Sequence, residues 1–357
     1  MRKRQQFAVI LGLIVSAVFV FFAFRDLHPE AVIEELGRVE IGWLLVGAAT
    51  YFAAVAVITL RWRYLLNAIE RLSMRVLYPL VCIGYMGNNV YPFRSGEALR
   101  IFLLNRNHNI PIVRGATTVV VERVFDGLVM LTFIVVSLLF LDVVSADVQR
   151  VASLAAPLFL IALAAFFALA ARPGLLHNLI RLVSRILPQR LGGMIQGMGE
   201  DVIHGLEGLR TPGQLIGAII SSYVTWMIEA SVYWMVAWAF NLDVSYALML
   251  LVVGTVNLAG LIPASPGQIG VFEFFASAVL VAAGVGEATA LSYAVTVHVV
   301  IWLPVTLAGF IFLARQGLNW QTITRARELE EGSLEKNGLT IADTATPSSL
   351  EQQREAK

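Results

Sequence analysis

The chain has 357 residues, of which 58% are hydrophobic and only 14% charged, with a net charge of +1. A water-soluble domain of this length cannot bury so much apolar surface, so lipid is its solvent. The near-zero charge offers no basic field for nucleic acid, and the single cysteine, Cys82, excludes an internal disulfide or a sulfur-ligated metal cluster and reads as packing.

A membrane helix needs roughly 20 mostly apolar residues. Residues 7–24 follow Arg2, Lys3 and Arg4 and lack a small-residue cleavage site, which predicts an uncleaved anchor. Further full spans are predicted at 41–60, 116–141, 151–171, 213–240 and 289–314. Two apolar segments, 76–104 and 246–284, are broken by polar residues, Pro and Gly. The expected fold is an all-α polytopic membrane protein with six full transmembrane helices and two re-entrant broken-helix hairpins.

Lysine and arginine in short loops set the orientation. Arg2, Lys3 and Arg4 place the N-terminus in the cytoplasm, and the loop after the first span is acidic, with Glu30, Glu34, Glu35 and Glu40. The second span ends in "RWRYLL", a cytoplasmic signature, and Arg106, Arg114, Arg172, Arg181, Arg185, Arg190, Arg210 and Arg315 all fall inside if both broken segments enter and leave on one side. The order span, re-entrant hairpin, span then occurs twice, over about 41–141 and 213–314, in opposite senses. Such inverted repeats build transporters whose broken helices meet near the midplane. The expected layout is a membrane domain over 1–315 in the plasma (inner) membrane, both termini cytoplasmic, and a largely disordered tail over 316–357. The segment 173–211 is too polar to span. Arg181 and Arg185 beside clustered leucines fit either an interfacial helix on the anionic inner leaflet or an amphipathic helix packed on the domain.

The breaks carry the polar chemistry. In "IPASPGQIGVFEFF", Ser265 is a predicted N-cap, with Pro266 at the first helical position and Gln268 completing a capping box. In "NNVYPFRSGEALR", one half-helix is predicted to stop at Pro92 and another to start at Ser95. Half-helix N-termini present unpaired N–H groups suited to an anion, and irregular backbone at this depth must be buried or line a wet cavity. Arg94 and Arg100 would make that cavity attractive to phosphate.

The segments "NNVYPFRSGEALR", "VVVERVFDGL" and "PASPGQIGVFE" resemble the signatures of the lysylphosphatidylglycerol synthase transmembrane family, also called flippase-like, over roughly residues 7 to 315. The resemblance implies a lipid-handling membrane domain. The full-length synthase continues into a soluble aminoacyl-transfer domain, whereas only a short polar tail follows here, so that activity is not carried over. Lipid substrates differ among members, which leaves the headgroup open.

The candidate substrate-binding residues are Asn88, Asn89, Arg94, Glu97, Arg100, Ser265, Gln268 and Glu273. Glu122 and Asp126, four apart, share a helix face, with Arg123 on another. They read either as ion pairs holding the first break through Arg94 or Arg100, or as carriers of a coupling proton. Glu229 lies near the centre of the fifth span with Ser222, Thr225, Trp226 and Tyr233 on its face, and reads as lining the cavity or as a packed hydrogen-bonding residue. Paired with an arginine of the first break, it would exchange a proton as phosphate comes and goes. Glu273 either closes the site or interacts within its own half-helix, and His298, on a stripe with Leu291, Val295 and Trp302, reads as packing. No ligand spacing points to a metal, and no cofactor is implied. The favoured function is translocation of a phospholipid or polyisoprenyl-phosphate lipid. The alternatives are a membrane enzyme or accessory subunit acting on such a lipid, and a small-solute secondary transporter. Assembly into a homo-oligomer is left open.

Overall fold

The computed structural model describes residues 3–24, 29–67, 69–91, 95–141 and 212–316, with isolated positions at 161, 174, 178, 180–182 and 184. Among the described residues every regular element is helical: α1 (Lys3–Phe24), α2 (Pro29–Gly37), α3 (Ile41–Leu66), α4 (Met74–Val90), α5 (Gly96–His108), α6 (Ile112–Phe140), α7 (Pro212–Ala239), α8 (Tyr246–Ala259), a 3₁₀ turn at Pro266–Gln268, α9 (Val271–Ala282) and α10 (Glu287–Arg315). Apart from those isolated positions, the expected span at 151–171, the segment 173–211, the loop at Asp142 and Asp147, and the tail after residue 316 lie outside the described residues.

Among the described residues four helices, α3, α6, α7 and α10, are long and apolar enough to cross a membrane. Their outward faces stay apolar, with Ile41 68%, Leu45 66%, Ile220 57% and Ile311 54% exposed, as lipid rather than water requires. Two of them outrun their predicted limits. Helix α3 continues past Leu60 because Arg61, Trp62, Leu65 and Leu66 are all buried in protein contacts. Helix α6 starts at Ile112, directly after Pro111, a position that needs no intrahelical N–H.

The second and fifth predicted spans pack against each other as an antiparallel pair. At one end Glu40 N–H donates to the Ala239 carbonyl at 3.0 Å and Trp43 meets Trp238 edge to face. Towards the other end Arg61 reaches Ser222, and Tyr64 lies against Gly217. Around this pair the remaining packing is matched. The hairpin of α4 and α5 lies against α10, and the hairpin of α8 and α9 against α6 and α10. Each of α5 and α9 also packs on the long helix that follows it.

The first hairpin closes through backbone contact. A side chain on Gly96 would overlap the Gly84 carbonyl, and one on Gly87 would come within 2.5 Å of Gly96 Cα. Asn88 Oδ1 then accepts a hydrogen bond from Gly96 N–H at 3.0 Å. Glycine is required here for close approach rather than for a turn. Buried Tyr51, Val55, Trp62, Met86, Val252, Tyr233 and Tyr293 belong to one apolar core drawn from both halves, and Cys82 packs within it.

Candidate functional site

Both breaks border one cavity of about 370 Å³. The first contributes Asn88, Asn89 and Tyr91; the second contributes the stretch from Pro263 to Gln268. Helix α7 adds Trp226, Glu229 and Tyr233, helix α8 adds Asn257, and helix α10 adds His298 and Trp302. Tyr51, Tyr85 and Arg123 complete its polar lining. Leu261, also at the cavity, is 79% exposed, and nearby Ile269 is 52% exposed. The rim on that side is therefore apolar and faces outward.

The second break differs from its predicted form. Ser265 makes no side-chain cap, and the Pro266–Gln268 turn is a single 3₁₀ turn interrupted at Gly267, whose φ is 70°. The long half-helix begins only at Val271, after Gly270 with φ 88°. Its capping carboxylate is Glu273, which accepts from Gly270 N–H at 2.6 Å. The predicted capping box is thus displaced along the chain, because two positive-φ residues, Gly267 and Gln268, break the turn that Ser265 would have capped. Ser265 instead donates its backbone N–H to Ser16 Oγ at 2.9 Å, fastening α1 to the break.

Glu273 also ligates His298: its other oxygen lies 2.5 Å from Nδ1, and Phe272 stacks on the imidazole at 4.4 Å. His298 is therefore more than packing. It borders the cavity with Nδ1 already engaged, which leaves Nε2 as its remaining polar atom. The apolar stripe hid this role because the partner lies on another helix.

The charges of the first half assemble elsewhere. Arg100 Nη2 sits 2.5 Å from Glu122 Oε2, and its guanidinium covers the Trp62 ring at 4.2 Å. Arg61 Nη1 lies 2.5 Å from Asp126 Oδ1, which also accepts from Trp226 Nε1 at 2.8 Å. Arg123 lies 2.7 Å from Glu97 and 3.4 Å from Asp126. Arg61, Glu97, Arg100, Glu122 and Arg123 line a second cavity of about 20 Å³, room for one water. Tyr85, Asn88 and Arg123 border both cavities.

Arg100 consequently does not face the larger cavity as a phosphate ligand; it is buried, stacked and neutralised in place. Glu97 likewise serves Arg123. Asn89 spends its amide on Thr306 Oγ1 at 2.8 Å and the Trp302 carbonyl at 3.4 Å, tying the first break to α10. Pro92 and Arg94 lie outside the described residues. Glu229, 5% exposed, forms no ion pair among the described residues. It borders the same cavity as Tyr51, Tyr85, Tyr233 and Asn257. Arg61 escaped the sequence reading, which took "RWRYLL" as a cytoplasmic terminus. Arg61 and Arg63, two apart, point to different faces of a continuing helix, and that spacing was the available signal.

The family model for the lysylphosphatidylglycerol synthase TM region matches residues 9–309. Among curated relatives, the glycosyltransferase AglD of Haloferax volcanii is 24% identical over 84% of this chain and 53% of that protein. Two UPF0104 membrane proteins of Methanothermobacter thermautotrophicus are 23% and 26% identical, over 76% and 82% of this chain and 84% and 92% of theirs. The chain thus spans about half the length of AglD and most of each UPF0104 protein.

Proposed function

Because the chain belongs to the family of lysylphosphatidylglycerol synthase TM regions, and so is an integral membrane protein, we propose that it translocates a phosphate-bearing lipid between leaflets. The observation that carries this reading is the cavity: polar groups of both breaks line it, and its rim at Leu261 is apolar and exposed. A headgroup would occupy the polar interior while its tails remain in lipid.

The proposed topology is six full spans with two opposed re-entrant hairpins, both termini cytoplasmic in the inner membrane, within a domain over 1–315. The antiparallel packing of α3 against α7 and the matched partners of the two hairpins support an inverted repeat. Alternating access would then rock one repeat against the other around the shared cavity. The proposed phosphate ligand is Arg94, since Arg100 is committed to Glu122. Asn88 and Asn89 would hold the break in place through Gly96 and α10.

The test is transport by purified protein in vesicles, with leaflet-resolved labelling of a phospholipid panel and of a polyisoprenyl phosphate. We expect movement at least about tenfold above protein-free vesicles, and a comparable loss in Arg94→Ala; Arg94→Lys should also fail, because lysine cannot make the paired donation of a guanidinium. Movement no faster than in protein-free vesicles, for every lipid, would remove the reading.

A second reading follows from the likeness to AglD, which is named as a glycosyltransferase. In it, His298 held by Glu273 would act as a general base at a lipid phosphate acceptor. Glycosylated lipid formed by the purified protein from a sugar nucleotide, and lost in His298→Ala, would establish it.

A further inference from the structure

Glu229 borders the large cavity, is 5% exposed and has no ion pair among the described residues. Arg123 and His298, which also border the cavity, are engaged by Glu97 and Glu273. A carboxyl group placed at membrane depth without a partner is costly, so a built position of this kind calls for a positive species that arrives from outside the chain.

Oxygen atoms gather at the same cavity. Helix α8 ends at Ala259, and its C-terminus carries the negative end of the helix dipole. There the N–H groups of Gly260, Leu261 and Ile262 donate to the carbonyls of Val256, Leu258 and Ala259, and the Asn257 carbonyl is passed over. Asn257 Nδ2 donates to the Val253 carbonyl at 2.9 Å, which leaves Oδ1 as the remaining polar atom of its side chain. Gln268 meets the same end of α8. A side chain on Gly260 would come within 2.9 Å of Gln268 Oε1 and 3.1 Å of the Asn257 carbonyl oxygen. Gln268 holds this place with a φ of 60°, a left-handed conformation that is costly for a residue with a side chain. Asn257, Gly260 and Gln268 all border the cavity with Glu229.

One carboxyl group among neutral oxygens sets the charge of the guest. Glu229 neutralises a single positive charge, whereas a divalent ion would keep a surplus in a low dielectric. Among the described residues no three His, Cys, Asp or Glu groups come together for a metal of higher charge. Main-chain carbonyls at the unwound end of a broken helix are the donors that hold coupling cations in transporters built from such helices.

We propose that Glu229, Asn257 and Gln268, with the C-terminal carbonyls of α8, form a site for one alkali cation at the second break. Glu229 gives up its proton, where it holds one, as the cation enters. Sharing the cavity with the lipid headgroup, the ion would couple its own gradient to lipid movement. That coupling rests on the translocase reading, whereas the site itself is tested without transport.

The purified protein is kept at constant ionic strength in N-methylglucamine chloride, which is replaced stepwise by NaCl or KCl. The melting temperature should rise saturably with at least one of the alkali salts, by about 3 °C or more at a hundredfold excess over the dissociation constant. Equilibrium dialysis with radiolabelled Na⁺ or Rb⁺ should give one ion per chain. Glu229→Gln keeps the shape of the side chain but cannot become an anion, and should weaken binding at least about tenfold. Gln268→Ala should weaken it about three- to tenfold. Both variants should melt with the wild type in N-methylglucamine chloride, and Gln268→Ala carries the test alone where Glu229→Gln does not fold. No saturable response to either alkali salt, an undiminished response in the variants, tighter binding of Ca²⁺ than of either alkali ion, or an equal rise with ethanolamine hydrochloride would each overturn the proposal. Ion binding without lipid movement would fail the translocase reading alone; lipid movement with no ion bound would fail this inference alone.

Discussion

The two breaks solve the problem of polarity at membrane depth in opposite ways. Around the first, formal charges are dense but mutually spent: Arg100 on Glu122, Arg61 on Asp126, Arg123 on Glu97. Around the second there are fewer charges: Glu273 holds His298, while Glu229 borders the cavity with no ion pair among the described residues. A charge that has found its partner in a low-dielectric interior is a structural device, whereas a carboxyl group that borders a cavity without an ion pair can meet a ligand. Paired charge therefore marks where the fold is held, and the carboxyl group without an ion pair marks where it can bind.

The sharpest way to break this comparison is Glu122→Ala. It leaves Arg100 buried with its guanidinium unpaired over Trp62, and removing one member of a buried pair costs about 3–5 kcal/mol. Thermal unfolding in detergent should show this as a large loss of folded protein. Glu122→Leu combined with Arg100→Met removes both charges and should recover most of the stability, since Arg61 keeps Asp126. A Glu122→Ala protein as stable as the wild type would mean that the network does not hold the first break.

How much of this was legible follows from the range of each interaction. The long helices were readable because apolar length is a local property. The two breaks were readable because Pro, Gly and Ser act on their own backbone. The pairings were not. Arg100 meets Glu122 across a turn between helices, and Arg61 meets Asp126 from 65 residues away. No spacing rule ties such residues, so the arginines of the first break looked available for phosphate. His298 and Glu273 lie 25 residues apart on packed helices, and the apolar stripe around His298 was equally compatible with either role. The capping box failed for a local reason that the pattern could not express: Gln268 itself takes a positive φ of 60°.

Glu273 offers an intermediate effect in the second break. Its carboxylate accepts from Gly270 N–H and holds His298. Glu273→Ala leaves that N–H unpaired inside the protein, at a cost of about 1–3 kcal/mol. Glu273→Gln keeps an acceptor for Gly270 and should lose less than half as much, while still releasing the imidazole from its charged partner. Thermal unfolding of the pair reads the capping role. If glutamine costs as much as alanine, the histidine contact, not the cap, supports the half-helix.

The smallest effect separates two serines that meet at the same contact. Ser16 accepts from the Ser265 backbone N–H at 2.9 Å and is 6% exposed. Ser16→Ala leaves that N–H without its partner, for about 1 kcal/mol, while Phe19 still holds α1 on Phe274 and Phe275. The Ser265 hydroxyl, by contrast, reaches only the Pro266 carbonyl at 3.5 Å, the outer limit of a hydrogen bond. Ser265→Ala should therefore lie within about 0.5 kcal/mol of the wild type, although the sequence casts Ser265 as the cap and gives Ser16 no role. Thermal unfolding of the two single variants decides the matter, and the double variant should match Ser16→Ala alone. If Ser265→Ala proves the costlier change, its hydroxyl caps the break after all. The N-terminal half-helix dipole would then be anchored at the cavity instead of at Gly270.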